Sequence, residues 1–244
     1  MNIYTTLHIG EFHTLHCEDF LVVEPLGTIT KLIAVMDGCS MGKESVFASV
    51  LFGKILRKIA KNKYYQEMYD NKEESLEELL KEITHLLFEE AIQLKNKLGL
   101  ETEELLATLI LAVVNVEEMK AEMIAVGDGL ICVDGNITEY EQNDKPDYFG
   151  YHLNEDFETW YQAQEQKLSV IQFQELSICT DGIFSFKDLT DKKNQKSEDE
   201  IIDYLLVNQK GIESEKFFDK KIKRMKDEWN HWLTDDLAII RLVK

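Results

Sequence analysis

The sequence predicts a layered α+β fold in which hairpin-linked strands carry helices gathered in blocks. Short apolar or alternating runs near both ends and in the middle have the period of strands. Two long stretches between them repeat every three to four residues, as amphipathic helices do. The strand runs also follow one another through short turns, which suits antiparallel pairing better than a doubly wound parallel sheet.

The elements follow in order. Residues 1–9 read as a strand, and 20–24 and 29–36 as a hairpin around the turn Leu26-Gly27-Thr28. From Glu44 the period changes: Phe47, Leu51, Ile55 and Ile59 fall four apart, predicting a helix to about residue 62. A second helix is expected from Ser75, with Glu78 completing a capping box, to Leu98, with Gly99 as its stop. Strands are expected at 105–116, 120–126, 130–133 and 137–140, the last pair joined by the turn Asp134-Gly135-Asn136. Residues 141–168 are polar, aromatic and irregular; 169–180 read as a strand, 198–207 and 214–232 as helices, and 237–243 as a closing strand.

With 44% hydrophobic residues, two prolines (Pro25 and Pro146) and no Gly/Ser-rich linker, residues 1–244 are expected to form one domain. The formal charge of −19 repels phosphate backbones and anionic membranes, so neither nucleic acid nor lipid is an expected partner. The N-terminus lacks the basic start and apolar core of a secretory signal, no run is long enough to span a membrane, and four cysteines do not suggest a disulfide framework. A cytoplasmic protein is expected.

Acidic signatures recur where strand-like runs begin or end: Cys17-Glu18-Asp19, Asp37-Gly38, Gly127-Asp128-Gly129, Thr180-Asp181-Gly182 and Thr234-Asp235-Asp236. Carboxylates converging from distant points of a chain make a site for hard divalent cations. A single Asp-Gly is weak, because it is a common turn dipeptide, and Asp134-Gly135 is read as a turn only. No phosphate-binding Gly-rich loop, His-Glu-x-x-His or Gly-x-Ser-x-Gly elbow occurs.

Taken in order with Ala107-Thr108-Leu109, these signatures resemble the type-2C (PPM) metal-dependent serine/threonine protein phosphatases over nearly the whole chain. Asp37-Gly-Cys-Ser-Met-Gly42-Lys43 looks most like the bacterial branch. The resemblance implies a four-layer αββα sandwich, two packed antiparallel sheets flanked by helices, with the metal site at one end. It implies that Asp37 bridges two Mn²⁺ or Mg²⁺ ions, one of them also held by the Gly38 carbonyl, Asp181 and Asp235. Glu18 would serve the second ion, Asp19 would orient a bound water, and Asp128 with Asp181 would match a weaker third ion. Asp37 and Asp19 are thus the expected catalytic residues. Two ions about 4 Å apart would activate a water to hydrolyse phosphoserine or phosphothreonine without a covalent enzyme intermediate. The implied partners are a phosphoprotein substrate and a cognate serine/threonine kinase.

The chain departs from the family pattern in four places. The phosphate-clamping arginine expected five residues before Asp19 falls on Thr14; nearby His13 and His16 are open to either ordinary packing or a substrate role. The position after the first Asp-Gly, a histidine in animal-type members, is Cys39, and Ser40 replaces a loop glycine. The stretch 141–168, with Pro146, Tyr148, Phe149, Tyr151, Trp160 and Tyr161, is either a surface loop packed by its own aromatics or a substrate-contacting flap. Cys17, Cys39, Cys132 and Cys179 lie near the acids but lack paired spacing, so they are read as small hydrophobes rather than zinc ligands. These departures keep a second expectation in play: a catalytically weak or inactive phosphatase-like module that regulates a partner by binding.

Overall fold

The computed structural model describes residues 1–67, 74–140 and 147–244. Two five-stranded antiparallel sheets form its centre. One has the order β1-β12-β9-β6-β7, built from β1 (Asn2–His8), β6 (Gly129–Val133), β7 (Asn136–Tyr140), β9 (Glu175–Cys179) and β12 (Leu237–Val243). The other has the order β2-β3-β4-β5-β8, built from β2 (Phe20–Pro25), β3 (Thr30–Met36), β4 (Leu109–Asn115), β5 (Lys120–Val126) and β8 (Lys167–Val170). A short ribbon pairs β10 (Phe186–Asp188) with β11 (His231–Leu233).

Side-chain alternation turns these sheets into four layers. Along β3 and β4, Ile33, Val35, Ile110, Ala112 and Val114 face the other sheet, where they meet Ile131, Ile178, Ala238 and Ile240. The intervening Leu32, Ala34, Met36, Leu109 and Leu111 face α1 (Ser45–Glu67) and α2 (Leu76–Leu98). On the far side, Leu130, Cys179, Leu237 and Ile239 pack against α4 (Glu198–Ile202) and α5 (Phe217–Trp229). Burial on both faces is why the strands read as continuous apolar runs. The expected α+β class and αββα layering are both present.

The cap chemistry read in the sequence forms. The Ser75 hydroxyl accepts from the Glu78 amide at 3.2 Å, Glu78 accepts in return from the Ser75 amide at 3.1 Å, and Gly99 closes α2 with φ 67°. Such a cap contributes about 1 kcal/mol. Asp134 (φ 50°) and Gly135 (φ 81°) make the β6–β7 turn, as expected.

Four expectations need correction. The strand expected at 105–116 begins only at Leu109, because residues 105–108 leave the sheet to brace the Asp37 loop. The single strand expected at 169–180 is two: β8 pairs with β5 and β9 with β6 and β12, so the chain changes sheets at 171–174. The helix expected to 232 stops at Trp229, where Asn230 turns left-handed (φ 59°) and His231–Leu233 pairs with β10. The last turn of the 198–207 helix is a π-turn at Asp203–Val207.

The stretch expected to be irregular opens, with Pro146, outside the described residues; the rest is ordered by helices. Residues Phe149–Asn154 form a 3₁₀ turn and Phe157–Ala163 form α3, whose first turn is capped by Asp156 accepting from the Thr159 amide at 3.0 Å. Phe149, Phe157, Trp160 and Tyr161 are buried around Phe88 of α2, so this aromatic content belongs to the core. Among the described residues, no helix is long and apolar enough to cross a membrane.

Candidate metal centre

Sheet register gathers the acids. Phe20 pairs with Met36, which puts Asp19 beside Asp37 at one end of the helix-α1 sheet. Leu109 pairs with Val126 at that same end, next to the β5–β6 turn that carries Asp128. In the opposite sheet Ile239 pairs with Cys179, bringing the loop before β12, with Asp235, against Asp181. Each acid therefore stands one or two residues beyond a buried strand, on backbone fixed by the sheet.

The glycines of the two Asp-Gly signatures are explained by crowding, not by turn geometry. A Cβ on Gly38 would fall 1.8 Å from the Ser45 carbonyl oxygen, and one on Gly182 would fall 1.7 Å from that of Asp236. Neither space admits any side chain. The Asp37 loop is also braced by Ala107-Thr108: the Thr108 amide donates to the Asp37 carbonyl at 2.8 Å, and the Asp37 amide donates to the Thr108 hydroxyl at 3.1 Å. The bridge from Gly38 to Ala107 is closed by the carbonyls of Asp37 and Leu106, so these bonds do not use the Gly38 carbonyl.

The acids grade from buried to exposed. Asp19 is 2% exposed, Glu18, Asp37, Asp128 and Asp181 are half-buried, and Asp235 is exposed. Asp19 accepts from the Thr180 hydroxyl at 2.6 Å, a bond that joins the two sheets directly beneath the site. Asp37 stands beside it, because Phe20 pairs with Met36 across β2 and β3.

Burial raises four of these acids, and repulsion adds to it in three. Asp37 is pushed well above the ordinary carboxylate range by burial and by Asp19, Asp181 and Asp235. Asp19 is pushed up to about 8, chiefly by burial, with repulsion from Asp181 and Asp236 offsetting its hydrogen bonds. Asp181 rises to about 7 through burial, Asp128 and Asp235, and burial raises Asp128 as well. Glu18 stands at the edge, where its carboxylate accepts from the Ser40 hydroxyl at 2.6 Å.

This donor set fits hard divalent cations: all-oxygen, strongly anionic and held at a cost that a bound cation would remove. Among the described residues, no three or more His, Cys, Asp or Glu side chains are already closed up around a single point as a finished metal site. The acids form instead a looser constellation linked by mutual repulsion. All four cysteines are free thiols, three of them buried, in keeping with their reading as small hydrophobes.

The sequence signatures match the family described as Protein phosphatase 2C over residues 11–237. The chain belongs to that family. Several solved structures are similar over nearly the whole of this chain. A bacterial serine phosphatase aligns with TM-score 0.61 at 16% identity, covering 100% of this chain and 97% of its own. The serine/threonine phosphatase Stp1 from Staphylococcus aureus aligns with TM-score 0.60 at 16% identity, covering 99% and 94%. RsbX, solved in complex with magnesium, aligns with TM-score 0.52 at 13% identity, covering 98% and 92%. No curated protein sequence matches with significance.

Against the type 2C pattern, the structure adds three residues that sequence reasoning does not assign. Asp236, 2% exposed, accepts from the Gly10 amide at 2.7 Å and from the Glu18 amide, and so ties the N-terminal loop to the last strand. The Asp-Asp doublet is legible in the sequence; which acid turns inward is not. Thr180 is the second, as the anchor of Asp19. The third is Tyr148, beside the Phe149 amide that donates to the Ala107 carbonyl; burial first, and then Cys39, Asp37 and Asp128, push its phenol's pKa up.

The position of the missing arginine is also resolved. Thr14 is exposed, whereas His13 lies 3.5 Å from Asp235 and 2.9 Å from Asp236. Burial works against a charge on His13, but Asp236, Asp235 and Glu18 outweigh it and raise its pKa. His13 is therefore the side chain that sits against the Asp235–Asp236 corner, while His16 is exposed.

Proposed function

We propose that this type 2C family member is an Mn²⁺- or Mg²⁺-dependent phosphatase that hydrolyses phosphoserine or phosphothreonine on a protein. One observation carries the reading: acids from five separate points of the chain stand at one end of two sheets, and burial and neighbouring charge raise the protonation of Asp19, Asp37 and Asp181 among them. Crowding of this kind costs stability unless a cation is bound.

In this reading Asp37, the Gly38 carbonyl, Asp181 and Asp235 hold one ion, and Asp37 with Glu18 holds the second. Asp128 and Asp181 hold a third, weaker one. Bound ions supply charge neutralisation on the phosphoryl group and a water acidic enough to attack at neutral pH. Asp19, fixed by Thr180 at 2.6 Å, is held in one orientation to accept a hydrogen bond from a water in the site. Asp236 and His13 keep the Asp235 loop in place. The substrate arrives from a kinase reaction, and residues 1–244 act as one domain.

A second reading, a phosphatase-like module that regulates a partner by binding, draws on Thr14 at the arginine position and on Ser40 in the glycine loop. Dephosphorylation of phosphoserine and phosphothreonine peptides separates the two. The enzyme reading expects turnover with Mn²⁺, none with EDTA, and none after Asp37→Asn or Asp181→Asn. Tight Mn²⁺ binding without turnover would favour the binding module.

A further inference from the structure

The site as built has many acids around it but no arginine at the usual place, and its nearest histidine is engaged by Asp235 and Asp236. A phosphoryl group entering it needs a donor that is not itself repelled or tied up. The segment 147–150 supplies one.

That segment is seated against both acid-bearing loops. The Phe149 amide donates to the Ala107 carbonyl at 3.0 Å, on the strip that bridges Gly38. Gly150 lies so close to the same strip that a Cβ there would fall 2.0 Å from the Leu105 carbonyl oxygen. On the other side Gly127, with φ 91°, presses on the Asp147 carbonyl, where a Cβ would fall 2.5 Å away. Tyr148 thus sits where the Asp37 loop and the Asp128 turn meet. Its ring is half-buried and edge-on to Tyr151 at 5.6 Å, and the charges of Asp37 and Asp128 act on its hydroxyl.

We propose that Tyr148 is a substrate-contacting residue whose neutral hydroxyl donates a hydrogen bond to the phosphoryl group, in the role that a guanidinium at position 14 would otherwise fill. The proposal rests on the hydrolytic reading above. A phenol suits the place because it donates without needing a charge, and its rigid ring loses little freedom when it does so. One hydrogen bond to an anionic group is also enough to matter in affinity.

The test compares wild type, Tyr148→Phe and Tyr151→Phe, each loaded with Mn²⁺, using inorganic phosphate as ligand and an aryl phosphate as substrate. Tyr148→Phe should weaken phosphate affinity and raise KM about tenfold, with kcat changed by less than about threefold. Mn²⁺ affinity and Tm should stay at wild-type values, and Tyr151→Phe should behave as wild type. Unchanged phosphate affinity in Tyr148→Phe would overturn the assignment, as would an equal loss in Tyr151→Phe or a loss accompanied by weaker Mn²⁺ binding. A wild-type protein that binds Mn²⁺ and phosphate without hydrolysis would sink the hydrolytic reading alone. The phosphate titration of Tyr148→Phe would still decide the contact.

Discussion

Raising the pH of the metal-free protein from about 5 to about 7 should destabilise it, and Mn²⁺ should reverse the effect. In the unfolded chain Asp181 titrates near 3.8, whereas in the fold it is carried to about 7, so between those values the native state binds the extra proton. Stability is then fully present below the lower value and falls as pH rises through the higher one. One such proton is worth roughly 1.4 kcal/mol per pH unit, or about 2 kcal/mol over this window once partial titration is allowed for. Asp19, carried from 3.8 to about 8, adds in the same direction.

Two other groups must be separated from this signal. The raised His13 and His152 also lose stabilisation as pH rises, the latter through Asp147 and Glu155. Lys221, buried and lowered to about 7, acts oppositely, since the unfolded chain holds its proton to 10.5 and stability gains above neutrality. Urea unfolding in EDTA at several pH values up to neutrality, repeated on Asp181→Asn, isolates the acids: the variant should show a shallower slope. With Mn²⁺ at about a hundredfold its Kd the wild type should gain about 2.7 kcal/mol at neutral pH and less in acid. A wild-type slope that is flat or rising in EDTA, or one that Asp181→Asn leaves untouched, would refute the reasoning.

The other expectations concern single side chains. Asp37→Asn should abolish Mn²⁺-dependent hydrolysis yet raise the Tm of the protein in EDTA at neutral pH, because an amide does not have to be kept protonated against burial and neighbouring charge. Gly182→Ala should cost roughly 2 kcal/mol or more in urea unfolding, since its Cβ would meet the Asp236 carbonyl at 1.7 Å. Arg241, fully buried, donates to the Leu205 and Val207 carbonyls at 3.0 Å and pairs with Glu175 at 2.5 Å. Arg241→Ala should therefore cost about 3–5 kcal/mol by taking the charge partner from Glu175 and leaving the carbonyls at the end of the π-turn without their donor, read as a lower urea midpoint.

Local signals carry much of this structure in the sequence. The layers are legible because period and burial agree: a helix stripe in Phe47, Leu51, Ile55 and Ile59, and strands buried on both faces. The Asp-Gly signatures are legible because each follows such a strand, and the structure gives the glycine its cause in the Ser45 and Asp236 carbonyls. What escapes depends on contacts between distant residues. The Thr180–Asp19 bond and the Asp236 bonds to Gly10 and Glu18 join opposite ends of the chain, and no local pattern announces them. The change of sheet at 171–174 is hidden because β8 and β9 are both strand-like, and only their partners differ. The aromatic stretch misleads because composition alone does not say which rings meet Phe88 and which one, Tyr148, sits between the Asp37 loop and the Asp128 turn.

Mn²⁺ titration of metal-free protein at neutral pH tests most directly whether the gathered carboxylates form a divalent-cation centre. Calorimetry in two buffers of different ionisation enthalpy reports both binding and the protons released. Binding should expel protons, because Asp19, Asp37 and Asp181 are held partly protonated until the ion arrives. That signal should be lost in Asp37→Asn. No binding, binding without proton release, or an unchanged titration in Asp37→Asn would contradict the assignment.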